Sequence, residues 1–254
     1  MLATLKAPLR RVRTRLLGRP GAVPIGPARP IGGSRPLSEK EQATVDAFHR
    51  LVYERAPDGT QRALNFHWLG YLSTKYPSDL IVYQEIITET RPQLIVESGT
   101  RFGGTTLFLA GLLDNLGGQR RVLSIDVQRA PQLPSHPRIE YVLGSSLDPE
   151  MIAQVHRAAQ GKRTMIILDS LHTAEHVGAE LRAYQDIVST GCYLIVEDSN
   201  IGGHPITTHD GPGPMEAIDE FLATTAAFVV DRDRERFLMS LNPRGYLRRV
   251  GPKA

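Results

Sequence analysis

The chain has 254 residues, of which 41% are hydrophobic, which is typical of one α/β domain with a single buried core. Its sequence has no stretch near the roughly 18 consecutive apolar residues that a membrane span needs. A single cysteine, Cys192, excludes an internal disulfide framework and a metal site built from several cysteines. It also favours a reducing, cytoplasmic compartment.

The formal net charge of +3 is unevenly distributed along the chain. Residues 1–37 contain eight basic side chains and no acidic one, whereas the rest of the chain carries more acidic than basic residues. The basic character therefore belongs to a tail, and it gives no reason to expect nucleic acid as a partner.

The tail combines two patterns. Between residues 2 and 16, leucine and valine recur at spacings of three and four among arginines, which predicts a basic amphipathic helix. Prolines and glycines then form a linker up to residue 36. We therefore predict a tail over 1–40 and one folded domain over 41–254. A poorly ordered or oligomer-docking tail is favoured over peripheral contact with an anionic membrane.

From residue 79 onwards, short apolar strands alternate with helices. Helices are predicted at 80–90, 103–116, 149–160, 173–188 and 215–224. Strands are predicted at 94–96, 122–125, 139–143, 165–168 and 193–196, with a terminal antiparallel pair at 227–231 and 236–241. Continuously apolar strands separated by helices indicate a parallel sheet covered on both faces. The predicted fold class is α/β, with a doubly wound, mostly parallel, Rossmann-like sheet.

Ligands of such sheets bind beyond the carboxyl ends of the strands, so the residues that follow each strand are site candidates. After the first strand the candidates are Glu97, Gly99, Thr100, Gly103 and Gly104. A glycine lets the backbone approach a ligand closely, and the free N–H groups of the following helix favour an anion. These residues predict a cofactor loop.

The glycine spacing of this loop distinguishes between cofactors. Gly-x-x-x-Gly at 99–103 differs from the Gly-x-Gly-x-x-Gly of pyrophosphate-binding sites, which favours S-adenosylmethionine over a nicotinamide dinucleotide. Asp126 ends the second strand, where a carboxylate can accept both ribose hydroxyls, and Ser146 follows the third, beside the expected adenine. For each position alone, an ordinary strand–turn–helix connection remains the alternative.

Three carboxylates follow the next two strands. Asp169 ends the fourth strand, while Glu197 and Asp198 end the fifth. Acids at adjoining strand ends repel one another unless a cation lies among them, and an all-oxygen ligand set suits Mg²⁺. The alternative is that they cap helices or pair with arginines. Asp169 is also assigned to the cofactor site.

Four histidines lie in the same half of the chain. His172 follows Asp169 by three residues and is the first candidate for a base or substrate contact. His176 lies one turn further on, but a zinc site lacks a third ligand motif, so His176 is interpreted as structural. His204, a second candidate base, and His209 lie in a Gly/Pro-rich loop over 202–214 with the length and composition of an active-site lid.

Several of these segments belong to an ordered series of motifs between about residues 65 and 245. They are Trp68-Leu69-Gly70, Lys75-Tyr76-Pro77-Ser78-Asp79-Leu80, Tyr83-Gln84-Glu85, Val96-Glu97-Ser98-Gly99-Thr100, Asp169-Ser170-Leu171-His172, His176-Val177, Tyr193-Leu194-Ile195-Val196-Glu197-Asp198-Ser199-Asn200 and Gly203-His204-Pro205. The series resembles the cephalosporin hydroxylase family, which includes rhamnosyl O-methyltransferases of mycobacterial glycolipids.

The resemblance implies a class I methyltransferase fold, often oligomeric, that binds S-adenosylmethionine and Mg²⁺. It also implies that Asp169, Glu197 and Asp198 are the metal ligands. Nothing in the sequence is typical of an iron or flavin hydroxylase site, so methylation of a hydroxyl is expected despite the family's name.

The expected function is thus Mg²⁺-assisted O-methylation by a methyltransferase domain over 41–254. The first choice of acceptor is a deoxysugar such as rhamnose on a glycolipid or glycosylated natural product; a hydroxylated cephem or other secondary metabolite is the alternative. Trp68, Tyr71 and Tyr76 are candidates for the acceptor pocket, although aromatic residues before a core helix often only pack. The rival classes are a nicotinamide-dependent oxidoreductase and a non-catalytic scaffold.

Overall fold

The structure is a computed structural model that describes residues 35–53, 58–60, 66–207 and 211–252. The helix and linker predicted before residue 35, and His209 of the predicted lid, lie outside these residues. Within the described ranges, no helix has both the length and the apolar composition that a membrane crossing requires.

A small hairpin and a large sheet make up the strands of the described chain. The hairpin consists of the antiparallel strands β1 (His67–Trp68) and β2 (Tyr71–Leu72). The large sheet consists of β3 (Leu94–Ser98), β4 (Arg121–Asp126), β5 (Ile139–Leu143), β6 (Thr164–Leu168), β7 (Tyr193–Val196), β8 (Phe228–Val230) and β9 (Tyr246–Arg249). Its strand order is β5-β4-β3-β6-β7-β9-β8.

The first five strands of the large sheet, β3 to β7, are parallel, and β9 runs antiparallel to both β7 and β8. The strand order reverses next to β3, because β4 lies on one side of it and β6 on the other. In open α/β sheets, ligands bind at the carboxyl ends of the strands near such a reversal. The loops that follow β3, β4 and β6 therefore surround the expected site.

Six α-helices are described. They are α1 (Glu39–Tyr53), α2 (Pro77–Thr90), α3 (Gly104–Leu116), α4 (Pro149–Ala159), α5 (Ala174–Tyr184) and α6 (Pro214–Thr224). Proline occupies the first turn of α2, α4 and α6, where its missing N–H leaves no hydrogen bond unmade. A single 3₁₀ turn, Gln185–Ile187, follows α5 where the sequence predicts a longer helix.

Alternate residues of the parallel strands face two separate cores. On β3, Leu94 and Val96 pack with residues of α4, α5 and α6, whereas Ile95 packs with residues of α2 and α3. Helices therefore cover both faces of the sheet, which is why residues 94–96 of β3, 165–168 of β6 and all of β7 are apolar. This arrangement confirms the predicted doubly wound, mostly parallel fold with terminal antiparallel strands.

One predicted strand is wrong. Residues 236–241 do not form a strand, because their backbone is held by side chains of other elements. His49 bonds the carbonyl of Leu238 at 3.0 Å, and Asp79 accepts the N–H of Leu241 at 2.9 Å. The partner of β8 is β9, where Gly245 lets the chain approach the carbonyl of Val196. The helix α1 and the β1–β2 hairpin were not predicted.

Candidate active site

The cofactor loop after β3 lies directly against the start of the β6–α5 connection. The N–H of Asp169 donates to the carbonyl of Ser98 at 2.8 Å, which continues the β3–β6 ladder beyond the strand ends. Gly99 has a φ of 94°, and a Cβ on it would overlap the carbonyl oxygen of Asp169. Glycine is thus needed at 99 for backbone packing, which brings the loop and Asp169 side by side.

The two later glycines of the loop begin α3. Gly103 is the N-terminal capping residue, with a φ of 76°. A Cβ on Gly104 would overlap the carbonyl oxygen of Leu72, so the hairpin packs closely on the first turn of α3. Thr100 is buried, with its hydroxyl 2.6 Å from that of Ser124. These glycines therefore serve the packing of the loop while leaving the helix N-terminus at the predicted cofactor edge.

Glu97 is buried on β3 within a network of hydroxyl groups. Its Oε2 accepts hydrogen bonds from Thr106 at 2.5 Å and from Ser124 at 2.7 Å. Burial raises the pKa of Glu97 to about 7, although the hydrogen bonds from Thr106 and Ser124 act in the opposite direction. The predicted cofactor-binding acid thus also links β3, β4 and α3.

Asp126 ends β4 beside the same loop. Its Oδ2 accepts the N–H of Arg101 at 2.8 Å, and its Oδ1 accepts the N–H of Gln128 at 2.9 Å. A carboxylate oxygen has two lone pairs, so both oxygens can still accept from a ligand. Asp126 lines a small pocket together with Thr100 and Tyr141. This pocket lies where the sequence predicts the ribose and adenine.

Ser146 follows β5 and is buried. Its carbonyl oxygen accepts a hydrogen bond from the hydroxyl of Tyr184, the last residue of α5. Ser146, the predicted adenine contact, is therefore linked to the end of α5.

Two aspartates and a histidine converge where β6 and β7 end. Side-chain ligand atoms of Asp169, His172 and Asp198 all lie within 4.8 Å of one another. Nε2 of His172 is 3.1 Å from Oδ2 of Asp198 and 3.8 Å from Oδ1 of Asp169. Asp198 has a φ of 53°, and its N–H donates to Oδ1 of Asn242 at 3.1 Å. Aspartate adopts this left-handed conformation more readily than most residues do. The backbone at Asp198 therefore fixes the direction in which its side chain leaves the main chain.

Lys75 lies beside this group, and no local pattern of the sequence indicates a role for it. Its side chain is only 1% exposed, its Nζ donates to Oδ2 of Asp169, and it lies 3.1 Å from Oε1 of Glu197. Burial alone would lower the pKa of Lys75, but the carboxylates of Asp169, Glu197 and Asp198 raise it above its usual value. The ammonium therefore remains charged.

Glu197 lies behind the aspartates. Its Oε1 accepts from the hydroxyl of Tyr83 and faces Lys75, while its Oε2 is buried and has no hydrogen-bond partner among the described residues. Burial raises the pKa of Glu197 to about 8, although Lys75 acts in the opposite direction. The ligand atoms that lie within 4.8 Å of one another therefore belong to Asp169, His172 and Asp198, and the assignment of Glu197 as a third metal ligand stays a prediction.

The two other described histidines of this region have partners of their own. Nε2 of His204 is 2.7 Å from Oε1 of Glu216, whose Oε2 accepts the N–H of Gly213 at 2.7 Å. Nε2 of His176 is 3.0 Å from the hydroxyl of Ser170. Of the two candidate bases, only His172 belongs to the group with the aspartates.

Three aromatic residues near the site differ in the groups that surround them. The ring of Trp68 packs edge-on against Phe108, with 4.9 Å between centroids, and therefore has a packing role. Tyr76 is buried, and within the described part of the chain its hydroxyl has no hydrogen-bond partner. Tyr53, the last residue of α1, is close enough to Asp198 and Asp169 that, after burial, these acids raise the pKa of its phenol. Tyr53 therefore lies within electrostatic reach of the two aspartates.

The family follows from a comparison of the whole sequence. The sequence model described as Rhamnosyl O-methyltransferase/CmcI matches residues 60–250. The chain belongs to this family. The match covers the glycine loop, the converging aspartates and every strand of the sheet.

Named relatives agree with this assignment. A protein of Mycobacterium tuberculosis (strain ATCC 25618 / H37Rv) named rhamnosyl O-methyltransferase is 38% identical over 216 residues, which cover 81% of this chain and 84% of the relative. A protein of the same name from Mycobacterium leprae (strain TN) is 38% identical over 159 residues, which cover 61% of this chain and 69% of the relative.

Solved structures of CmcI share the fold. One described as the apo structure of CmcI-N160 superposes with a TM-score of 0.59 at 20% identity, covering 87% of each chain. Another, described as CmcI-D160 with Mg and SAM, gives a TM-score of 0.58 at 21% identity and covers 87% of this chain and 88% of the other. At this identity the likeness concerns the fold, which is of the class I methyltransferase type.

Proposed function

We propose that this protein transfers the methyl group of S-adenosylmethionine to a hydroxyl of a deoxysugar such as rhamnose, with Mg²⁺ held by Asp169 and Asp198. The reaction class, S-adenosylmethionine-dependent O-methylation, is that of the family and of the named relatives. The observation that carries the rest is the convergence of two aspartates and His172 beside the Gly99 loop.

The donor set suits a hard divalent cation. Asp169 and Asp198 each offer carboxylate oxygens, and the group is only partly buried. Water or substrate oxygens could therefore occupy the remaining coordination positions of a cation held there. A relative of the same fold is described with both Mg and SAM. When bound, Mg²⁺ would favour the deprotonated form of a coordinated hydroxyl and so make it a better nucleophile.

His172 is the proposed base. Its Nε2 lies 3.1 Å from Oδ2 of Asp198. A cation held by Asp198 would release Nε2 from this contact, and a hydroxyl held at the aspartates would then be within hydrogen-bond reach of the unprotonated nitrogen. The proton of the acceptor passes to Nε2, and the hydroxyl oxygen forms its new bond to the methyl carbon. The carbon–sulfur bond breaks, and its electron pair stays on sulfur as the neutral thioether. His204, the second candidate, bonds Glu216 instead.

The cofactor is proposed to lie across the ends of β3 and β4. Asp126 would accept from the ribose hydroxyls, and Gly99, Thr100, Gly103 and Gly104 would form the loop under the methionine part of the molecule. The alignment of the methyl group with the acceptor oxygen supplies much of the rate, because both reactants are held at neighbouring strand ends.

The acceptor is assigned from the named relatives. The name of these relatives favours a deoxysugar hydroxyl, and the basic residues of 1–37 are a weaker indication of a lipid-associated acceptor. Homo-oligomer formation and membrane contact remain part of this proposal. The hydroxylated cephem, the other acceptor that the family's name offers, is compared in the same assay.

Calorimetry tests which cofactor the protein binds. S-adenosylhomocysteine and NAD are titrated separately into the full chain, with the variant Asp126→Ala and the surface variant Asp114→Ala as a matched pair. We expect micromolar binding of S-adenosylhomocysteine, at least tenfold weaker in Asp126→Ala and unchanged in Asp114→Ala. Binding of NAD without S-adenosylhomocysteine would instead identify a nicotinamide-dependent oxidoreductase.

A further inference from the structure

Lys75 is a buried cation beside a group of side chains that would itself bind a cation. It lies between the β1–β2 hairpin and α2, with a side chain that is 1% exposed. Burying an ammonium group is costly unless it is paired. Lys75 is paired twice, with Oδ2 of Asp169 and, at 3.1 Å, with Oε1 of Glu197.

The two oxygens of Asp169 consequently have different surroundings. Oδ2 is held by Lys75, whereas Oδ1 lies 3.8 Å from Nε2 of His172, on the side of Asp198. A carboxylate fixed at one oxygen presents the other in a defined direction. Lys75 therefore determines which oxygen of Asp169 is available to a cation.

We propose that Lys75 is a positioning residue that orients Asp169 and also weakens the binding of a divalent cation by Asp169 and Asp198. This inference rests on the proposed metal site. The ammonium lies one carboxylate away from the position that the cation would occupy, in a buried environment where charge–charge repulsion is poorly screened. Without a cation, the ammonium attracts the carboxylates of Asp169 and Glu197. When a cation is bound, the ammonium repels it.

The effect on affinity depends on which of the two roles dominates. Asp169 is anchored by its backbone, because its N–H donates to Ser98 at 2.8 Å and its carbonyl packs against Gly99. Its place at the strand end therefore survives the loss of Lys75, although its carboxylate becomes free to rotate. We conclude that repulsion dominates binding, whereas orientation dominates turnover.

Two variants of Lys75 separate charge from packing. Mg²⁺ is titrated by calorimetry into the full chain at pH 8, and methyl transfer is measured at saturating Mg²⁺. We expect Lys75→Met to bind Mg²⁺ at least tenfold more tightly than the wild type and to turn over at least tenfold more slowly. Lys75→Arg, which keeps the charge, should bind Mg²⁺ within threefold of the wild type.

A second buried cation provides the control. Arg234 is 6% exposed and pairs with Glu89 and Asp231, outside the candidate site. Arg234→Met should leave the affinity for Mg²⁺ within twofold of the wild type. Binding of S-adenosylhomocysteine by each variant checks that the fold is intact.

If Lys75→Met does not fold, Lys75→Gln replaces it, because glutamine removes the charge and keeps an N–H donor for Asp169 and Glu197. Lys75→Gln should then bind Mg²⁺ at least threefold more tightly than the wild type. Unchanged or weaker binding of Mg²⁺ on loss of Lys75 overturns the inference and leaves the proposed function standing. A wild-type protein that binds S-adenosylhomocysteine but no Mg²⁺ overturns the metal site and, with it, the role of Lys75.

Discussion

Nε2 of His172 lies 3.1 Å from Oδ2 of Asp198, although the two residues follow different strands of the sheet. The parallel pairing of β6 and β7 brings the two strand ends to the same edge. A group that can accept a proton thus lies next to a group that can hold a cation. This relationship is the basis of the proposed chemistry.

Replacing His172 should slow the chemical step without affecting cofactor binding. A positioned base contributes about 10²–10⁴-fold to the rate, so His172→Asn should lower kcat by that factor while the affinity for S-adenosylhomocysteine stays within twofold. The control is His176→Asn, because His176 lies one turn further along the chain and bonds Ser170 instead. A kcat for His172→Asn within threefold of the wild type would rule out His172 as the base.

Loss of Asp198 should abolish turnover and spare the cofactor site. Asp198→Ala removes a carboxylate of the group, whereas the loop proposed to bind S-adenosylmethionine lies after β3, so the affinity for S-adenosylhomocysteine should remain nearly intact. Asp169→Ala should also abolish turnover. Steady-state rates and calorimetry on the same preparations measure both quantities. If either variant turned over at the wild-type rate, the metal proposal would be wrong.

The close packing at Gly99 predicts a large loss of stability on substitution. Gly99→Ala would place a methyl group against the carbonyl of Asp169 at a φ of 94°, so we expect it to lower the free energy of unfolding by more than about 3 kcal/mol. Gly118 also has a positive φ, 67°, but nothing lies within 4 Å of its added Cβ. Gly118→Ala should therefore cost only about 1 kcal/mol. Urea unfolding that gave equal losses would contradict the packing described at Gly99.

The raised pKa of Glu97 predicts a specific dependence of stability on pH. In the unfolded chain this carboxyl ionises near its usual pKa of 4.5, whereas in the folded chain it keeps its proton up to about pH 7. The folded state thus binds the proton more strongly, and the contribution of Glu97 to stability falls as pH rises from about 4.5 to about 7. The total loss is about 3 kcal/mol, because a difference of one between the folded and unfolded pKa values corresponds to about 1.4 kcal/mol.

The variant Glu97→Gln isolates this effect, because it lacks the ionisation while every other titrating group stays. Relative to Glu97→Gln, the wild type should lose stability between pH 4 and pH 8 and then reach a plateau. Urea unfolding at pH 4, 6 and 8 measures the difference. A difference that stayed constant over this range would contradict the buried, proton-retaining state of Glu97.

Local sequence patterns predicted the fold because each strand of the parallel sheet is a short apolar run bounded by breakers. Leu94, Ile95 and Val96 must all be apolar, since both faces of β3 are covered. The strand predicted at 236–241 failed for the opposite reason. That segment is apolar, but long-range hydrogen bonds from His49 and to Asp79 determine its backbone. The true strand, β9, ends in two arginines and lacks an apolar pattern.

The candidate site was only partly predictable for a similar reason. The sequence predicts that Asp169 and Asp198 lie close together, because parallel strands end at one edge, and their side-chain oxygens do lie within 4.8 Å of each other. The roles of Lys75 and Tyr83 depend on contacts with Asp169 and Glu197, which lie 94 and 114 residues further along the chain, respectively. No local pattern records such contacts, so the sequence alone did not indicate that Glu197 faces a buried lysine.

The most direct test of the central claim is transfer of a labelled methyl group from S-adenosylmethionine to a rhamnoside with a lipid aglycone, compared with a hydroxylated cephem. We predict an O-methylated rhamnose, identified by mass spectrometry, that forms with Mg²⁺, stops in excess EDTA, resumes when Mg²⁺ is restored and is absent with Asp198→Ala. Transfer that continued in excess EDTA and in Asp198→Ala, or oxidation of the sugar with NAD in place of methylation, would contradict the proposed function.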